Sequence, residues 1–135
     1  MEKVFEKEAQ PKGSPELITV AMPCDANYNG DVFGGWLMSK MDLACGVTAH
    51  RVAGSRITTV AVDSMTFLRP VNIGATVYFY TSVSRVGRTS VAISIEAWAR
   101  SLHVGHAVKV TEGIFTFVSI DDDGKPTPIV IKEDS

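Results

Sequence analysis

Residues 27–54 of the chain read NYNGDVFGGWLMSKMDLACGVTAHRVAG, and the fold turns on how this stretch is understood. It opens as a polar, glycine-rich loop and continues as one apolar segment of helical length. Asp31 stands where a side-chain cap belongs; alternatively Gly34 and Gly35 open the helix with free backbone N–H groups. The helix is expected to run to about Ala53, with Gly54 just past its end. His50 and Arg51 fall in its last turn, where cations suit the dipole. Its apolar residues nearly encircle it, which predicts burial on most sides. Asp42 lies well inside, among Met38, Met41, Leu43, Cys45 and Val47. A carboxylate in such company requires pairing, hydrogen bonding or a chemical use. Gly35, Ser39, Gly46 and Ala49 share its stripe at helical spacing and leave room for something to lie beside it.

Outside this segment the pattern is that of strands. Residues 17–22, LITVAM, are β-rich and stop at Pro23. Long strand patterns cover residues 57–68, 77–85, 91–100 and 107–120. Between two of them VGRTS, residues 86–90, reads as a tight hairpin turn around Gly87. Residues 102–105 form another turn, and DDDGKPTP at 121–128 a further one. The order is therefore one strand, one helix, then four strands joined by short turns. Successive hairpins predict a mainly antiparallel α+β sheet with the helix on one face. Strands of about 10 to 14 residues exceed the usual 5 to 6, so the sheet should curve strongly around the helix. Its other face still carries Val, Ile, Trp and Phe, which predicts an oligomer. Residues 1–15 read as a flexible segment, 16–123 as a single domain and 124–135 as a tail.

Composition narrows the function classes. The chain has 135 residues, 45% apolar and 21% charged, which is globular rather than disordered. A net charge of −2 and a pI near 5.9 exclude a general nucleic-acid binder, which needs a basic face. Two cysteines, Cys24 and Cys45, are too few for a disulfide framework and suit a reducing compartment. The first fifteen residues lack an apolar signal core, and no apolar run approaches the ~18 residues of a membrane helix. A soluble, cytoplasmic protein with no membrane partner is expected.

Four separated motifs carry a family resemblance: AMPCDANYNGDVFGGWLMSKMD at 21–42, TVAVDSMTFLRPV at 59–71, VGRTS, and GIFTFVSID at 113–121. In this order they resemble the YciA-type acyl-CoA thioesterases, over about residues 18–123. The resemblance implies the hotdog fold, a curved antiparallel sheet wrapped around one long central helix. It implies hydrolysis of acyl-CoA to acid and CoA without a cofactor or metal. Asp42 then matches the helix carboxylate that acts as general base or nucleophile. Asn27 matches the loop asparagine of the D-x-N-x-x-G pattern, which holds the water or the thioester. The backbone N–H of Gly35, beside Gly34, matches the group that polarises the carbonyl. The family's site is shared across a homodimer, and dimers assemble further into hexamers, as trimers of dimers.

The residues agree with that chemistry and leave alternatives beside it. Gly35 and Asp42 lie seven residues apart, roughly 10 Å along a helix axis, so a partner chain with an antiparallel helix is needed to join them. A thioester carbonyl is reactive and a thiolate leaves easily, so a carboxylate and an oxyanion donor suffice. Taken alone, Asn27 is a turn residue, and Asp42 is either a partly buried base or a structural carboxylate bonded elsewhere. Arg88, with Gly87, Thr89 and Ser90, offers donors to the CoA phosphates or is a solvated turn arginine; in relatives this segment lies near the nucleotide. Arg69 before Pro70 touches phosphate or ends a strand. His103 and His106 are too weak a pattern for metal, and Cys45 has no histidine on its face to activate it. Two rival functions remain: a hotdog hydratase or dehydratase, which usually pairs a histidine with the carboxylate, and a non-catalytic acyl-CoA-binding module.

Overall fold

The computed structural model of the chain describes residues 11–101 and 105–130. Most of the segment read as flexible, residues 102–104 of the expected turn with His103, and the end of the tail therefore lie outside the described residues. The elements are β1 (Leu17–Val20), a 3-10 turn (Pro23–Asp25), α1 (Gly34–Ala53), β2 (Arg56–Phe67), β3 (Thr76–Val86), β4 (Ser90–Arg100) and β5 (Val108–Ile120).

Helix α1 ends as its sequence requires. Gly54 takes the left-handed conformation (φ 67°) and its N–H donates to the His50 carbonyl. At the other end the expectation divides. No side chain caps the helix, which starts directly at Gly34 after an extended Phe33. Asp31 is not the cap, because its carboxylate accepts a hydrogen bond from Asn72 Nδ2 at 2.8 Å. That partner comes from 41 residues away, beyond the reach of a local reading.

The five strands form one antiparallel sheet in the order β1-β3-β4-β5-β2. Hairpins join β3 to β4 and β4 to β5. The expected third hairpin, between β2 and β3, is absent: β2 pairs with β5, and residues 68–75 carry the chain across to β3 near the other edge. This crossover is fastened at both ends. Leu68 and Arg69 donate to the Val110 carbonyl, and Ala75 accepts from Ala21. β1 ends at Val20, two residues sooner than expected, and the Ala21–Ala75 bond extends its contact with the chain entering β3.

The sheet curves around α1, which packs on β2, β3, β4 and β5. Leu37, Met41, Ala44, Cys45 and Ala49 face Val77, Phe79, Ile93, Ile95, Phe115 and Phe117, all buried. Each large side chain in this set contributes roughly 1.5–3 kcal/mol of transfer free energy. Burial on most sides of α1 is not observed. The 3.6-residue period puts one face into the core, while Leu43 and Val47 stay 53% and 45% exposed on the opposite face. The small-residue stripe also splits, with Ala49 in the core, Asp42 and Gly46 half-buried, and Gly35 and Ser39 exposed.

One polar cluster ties β1 to the helix. The buried Thr48 hydroxyl donates to Glu16 Oε1 at 2.9 Å, lies 2.7 Å from the Thr81 hydroxyl, and Arg51 reaches the same Glu16 oxygen at 2.7 Å. The Arg51 guanidinium holds the Glu16 carboxyl below its ordinary range; burial opposes this, and the Thr48 hydrogen bond adds to it. A depressed folded-state value gives stability that is present above the ordinary carboxylate range and lost as pH falls through the lowered one. Thermal melts below pH ~4.5 should show Glu16→Gln losing less stability on acidification than the native chain. The difference is expected to be small, because Arg51 is more than half exposed.

Candidate active site

Asp42 opens onto a groove of about 680 Å³ between α1 and β2. Leu43, Gly46 and Val47 form the helix wall, Ile57, Thr58 and Thr59 the strand wall, and Phe117 of β5 also lines it. Asp42 Oδ1 accepts a hydrogen bond from Thr59 Oγ1 at 2.7 Å. Bonds to a charged acceptor contribute about 1.5–3 kcal/mol, enough to fix the carboxylate's rotamer. A register shift between Thr59 and Ala61 interrupts the β2–β5 ladder just there. Such bulges re-aim side chains beside functional sites. No ion pair holds Asp42 among the described residues. Cys45, one turn along, is fully buried; burial first and the Asp42 charge second push its thiol up, which leaves it inert.

The Asn27 loop is built by Asn27 itself. Its side-chain Oδ1 accepts from the Asn29 and Asp31 N–H groups at 2.8 and 3.1 Å, and its own N–H donates to the Asp31 carbonyl. Gly30, at φ 81°, closes the turn. This matches the turn-residue reading, yet it has a chemical consequence. The oxygen is committed to the loop, so only the Nδ2 amide hydrogens remain to meet a ligand.

The two helix-start glycines differ. A Cβ on Gly34 would sit 3.4 Å from the Phe67 ring, so Gly34 serves close packing of α1 on the end of β2. Around Gly35 there is open space. The first helix N–H groups with acceptors belong to Trp36 and Leu37, both bonded to the Phe33 carbonyl. Gly34 and Gly35 therefore present unpaired N–H groups among the described residues. Neither Asn27 nor Gly35 lines the Asp42 groove of its own chain.

The hairpin residues also have defined places. Gly87 donates to the Ser90 carbonyl at 2.7 Å, and a Cβ on Gly87 would come within 2.8 Å of Ser90 Oγ, so the Ser90 hydroxyl would have to turn aside for a larger residue. The backbone carbonyls of Arg88 and Thr89 accept from Ile129 and Ser119, which pins the turn and leaves the Arg88 side chain exposed. Arg69 lines an apolar cavity of about 320 Å³ beside Gly34, but its guanidinium already donates to the Lys109 carbonyl. It ties the crossover to β5. Among the described residues no three His, Cys, Asp or Glu side chains converge as metal ligands. None of the described helices is long and apolar enough to cross a membrane.

Sequence reasoning missed Thr59, the direct partner of Asp42. It sits in a run of β-formers, and nothing local separates it from other strand threonines. Arg56 was also passed over, and His50 was assigned only to the helix terminus, although both line the groove.

Comparison with known proteins places the chain in a family. The family model described as the thioesterase superfamily matches residues 29–106. The acyl-CoA thioester hydrolase YciA of Salmonella typhimurium is 45% identical over 125 residues, covering 90% of this chain and 94% of the relative. A hexameric broad specificity acyl-coenzyme A thioesterase, solved as an aspartate-to-alanine mutant, superposes with a TM-score of 0.85 at 41% identity, covering 90% of each chain. The hexameric thioesterase of Yersinia pestis gives 0.84 at 44% identity, covering 90% of this chain and 99% of that one. The curved antiparallel sheet around one helix is thus a hotdog fold, with a carboxylate in its edge groove. The chain belongs to the thioesterase superfamily, among the YciA-type acyl-CoA thioester hydrolases.

Proposed function

We propose that this chain hydrolyses acyl-CoA thioesters with Asp42 as its reactive carboxylate. The observation that carries the reading is the Thr59-held carboxylate in an apolar-walled groove. Asp42 takes a proton from water as the water oxygen adds to the thioester carbonyl carbon. The carbonyl becomes an oxyanion, the C–S bond then breaks, and CoA leaves as a thiolate that regains a proton. In the alternative course Asp42 adds to the carbonyl itself, and water cleaves the resulting anhydride. No cofactor is needed in either, and a cytoplasmic setting supplies the substrate.

Donors for the oxyanion come from a second copy of the chain. The Gly35 N–H lies roughly 10 Å along the axis from Asp42 of the same helix, too far to share one carbon. An antiparallel partner brings its own Gly35 and the Asn27 amide to this Asp42. Leu43 and Val47 on α1, with Val60 at 55% exposure on edge strand β2, supply an apolar surface for that partner. The minimal unit is then a homodimer, three of which make a hexamer like those of the solved relatives. Arg88, Thr89 and Ser90 remain candidates for the CoA phosphates. Arg69, already engaged, is a weaker one.

The deciding experiment is thiol release from a panel of acyl-CoAs, with the native chain beside Asp42→Asn. Release by the native chain and its loss in the variant are expected. Equal release by both would sink the assignment, and no release by either would leave a binding module. Thr59 has a smaller, positioning effect. Thr59→Val is expected to lower kcat about tenfold with little change in KM, and Thr59→Ser to restore most of it. A purely structural role would lower the melting temperature without that restoration.

A further inference from the structure

We propose that His50 and Arg56 form an anion subsite at the far end of the Asp42 groove. It would take a negatively charged part of the substrate about 12 Å from the reacting carboxylate. The proposal rests on the thioester-hydrolase reading above and adds a direction to it.

Both side chains line the same groove as Asp42. His50 lies eight residues, or about two turns, along α1 from Asp42, and Arg56 opens β2 beside it. Between the carboxylate and these cations the helix wall is apolar, made by Leu43, Gly46 and Val47, with Ile57 and Phe117 facing it beside Thr58 and Thr59. The groove thus has a carboxylate, an apolar middle and a cationic end.

The cations have no other employment. Arg51 is held by Glu16, Arg69 by the Lys109 carbonyl, Arg100 by the Tyr78 hydroxyl, and Lys109 by Glu96 and Glu112. Arg56 and His50 have no partner among the described residues, and Asp42 is the only acid in the groove. An arginine left unpaired at the end of an apolar trough is suited to an incoming anion.

Two parts of a CoA thioester offer one. The pantetheine arm has the length of about four extended residues, roughly 14 Å, and ends in phosphate. An acyl chain ending in a carboxylate is the other source. Sheet geometry favours phosphate. Arg56 pairs with Ile120, and Ser119 donates to the Thr89 carbonyl, so the Arg88 hairpin stands at this same end of the sheet.

The test uses thioethers, which bind without being cleaved. Dissociation constants for S-octyl-CoA, S-octyl-pantetheine and an S-octyl-pantetheine whose chain ends in a carboxylate are measured by calorimetry. The proteins are the native chain, Arg56→Ala, Arg56→Lys and His50→Ala. The expected result is that S-octyl-CoA binds about tenfold tighter than S-octyl-pantetheine. Arg56→Ala should remove most of that advantage, His50→Ala part of it, and Arg56→Lys should keep much of it. If the carboxylated chain shows the Arg56-dependent advantage instead, the subsite stands and its anion is the acyl terminus. An absent advantage for either anion, or one indifferent to both residues, overturns the proposal. Thiol release, measured separately, reads the hydrolase assignment, so the two can fail independently.

Discussion

Asp42→Asn is expected to lower kcat for acyl-CoA hydrolysis by about a thousandfold while the melting temperature stays close to that of the native chain. That loss corresponds to about 4 kcal/mol of barrier. The substitution keeps the shape of the side chain and an oxygen to accept from Thr59 Oγ1, so the groove wall is retained. What disappears is the negative charge that, in the proposed reaction, accepts water's proton or attacks the carbonyl. A thiol-reactive dye measures kcat, and thermal unfolding of the same samples separates chemistry from folding. Single turnover in heavy-oxygen water then distinguishes the two courses. Direct attack by water places the label only in the product acid, whereas label found in the Asp42 carboxylate identifies an anhydride opened by water at its aspartyl carbonyl.

Asn27→Asp should cost nearly as much, about a hundredfold or more in kcat. The new side chain still offers an oxygen to the Asn29 and Asp31 N–H groups, so the loop keeps its hydrogen bonds. It loses the amide hydrogens and brings a negative charge towards the developing oxyanion. Asn27→Ala makes the contrasting case, since it removes the donors and the loop's own acceptor together. A lower melting temperature is expected for Asn27→Ala than for Asn27→Asp, with turnover low in both. Normal turnover in Asn27→Asp would confine Asn27 to building its turn.

The local part of this fold was legible in the sequence. Gly54 marked the end of α1, the alternation in β3 and β4 gave their faces, and Gly87 marked the hairpin between them. Contacts between distant residues were not legible. Asn72 takes the carboxylate of Asp31, so a residue with the right local chemistry for a cap serves elsewhere. The Arg69–Pro70 segment reads as a turn whether the next strand lies beside β2 or across the sheet; the Val110 carbonyl settles it, and it lies forty residues on. The site divides the same way. Asp42 was conspicuous because a charge in an apolar helix is costly. Thr59 was invisible because a hydroxyl on a strand is ordinary until the helix facing it is known.

The placement of β2 governs when the molecule becomes competent. Its one partner in the sheet is β5, the last strand among the described residues. Asp42 and Thr59 are near neighbours in sequence, but the strand that presents Thr59 has no backbone partner in the sheet until β5 has been made and returned to it. Pairings across so much chain form late and slowly, since the intervening loop must close first. A nascent chain therefore carries Asp42 without a complete groove around it until β5 is made. The wall of that groove is set only as the final strand docks.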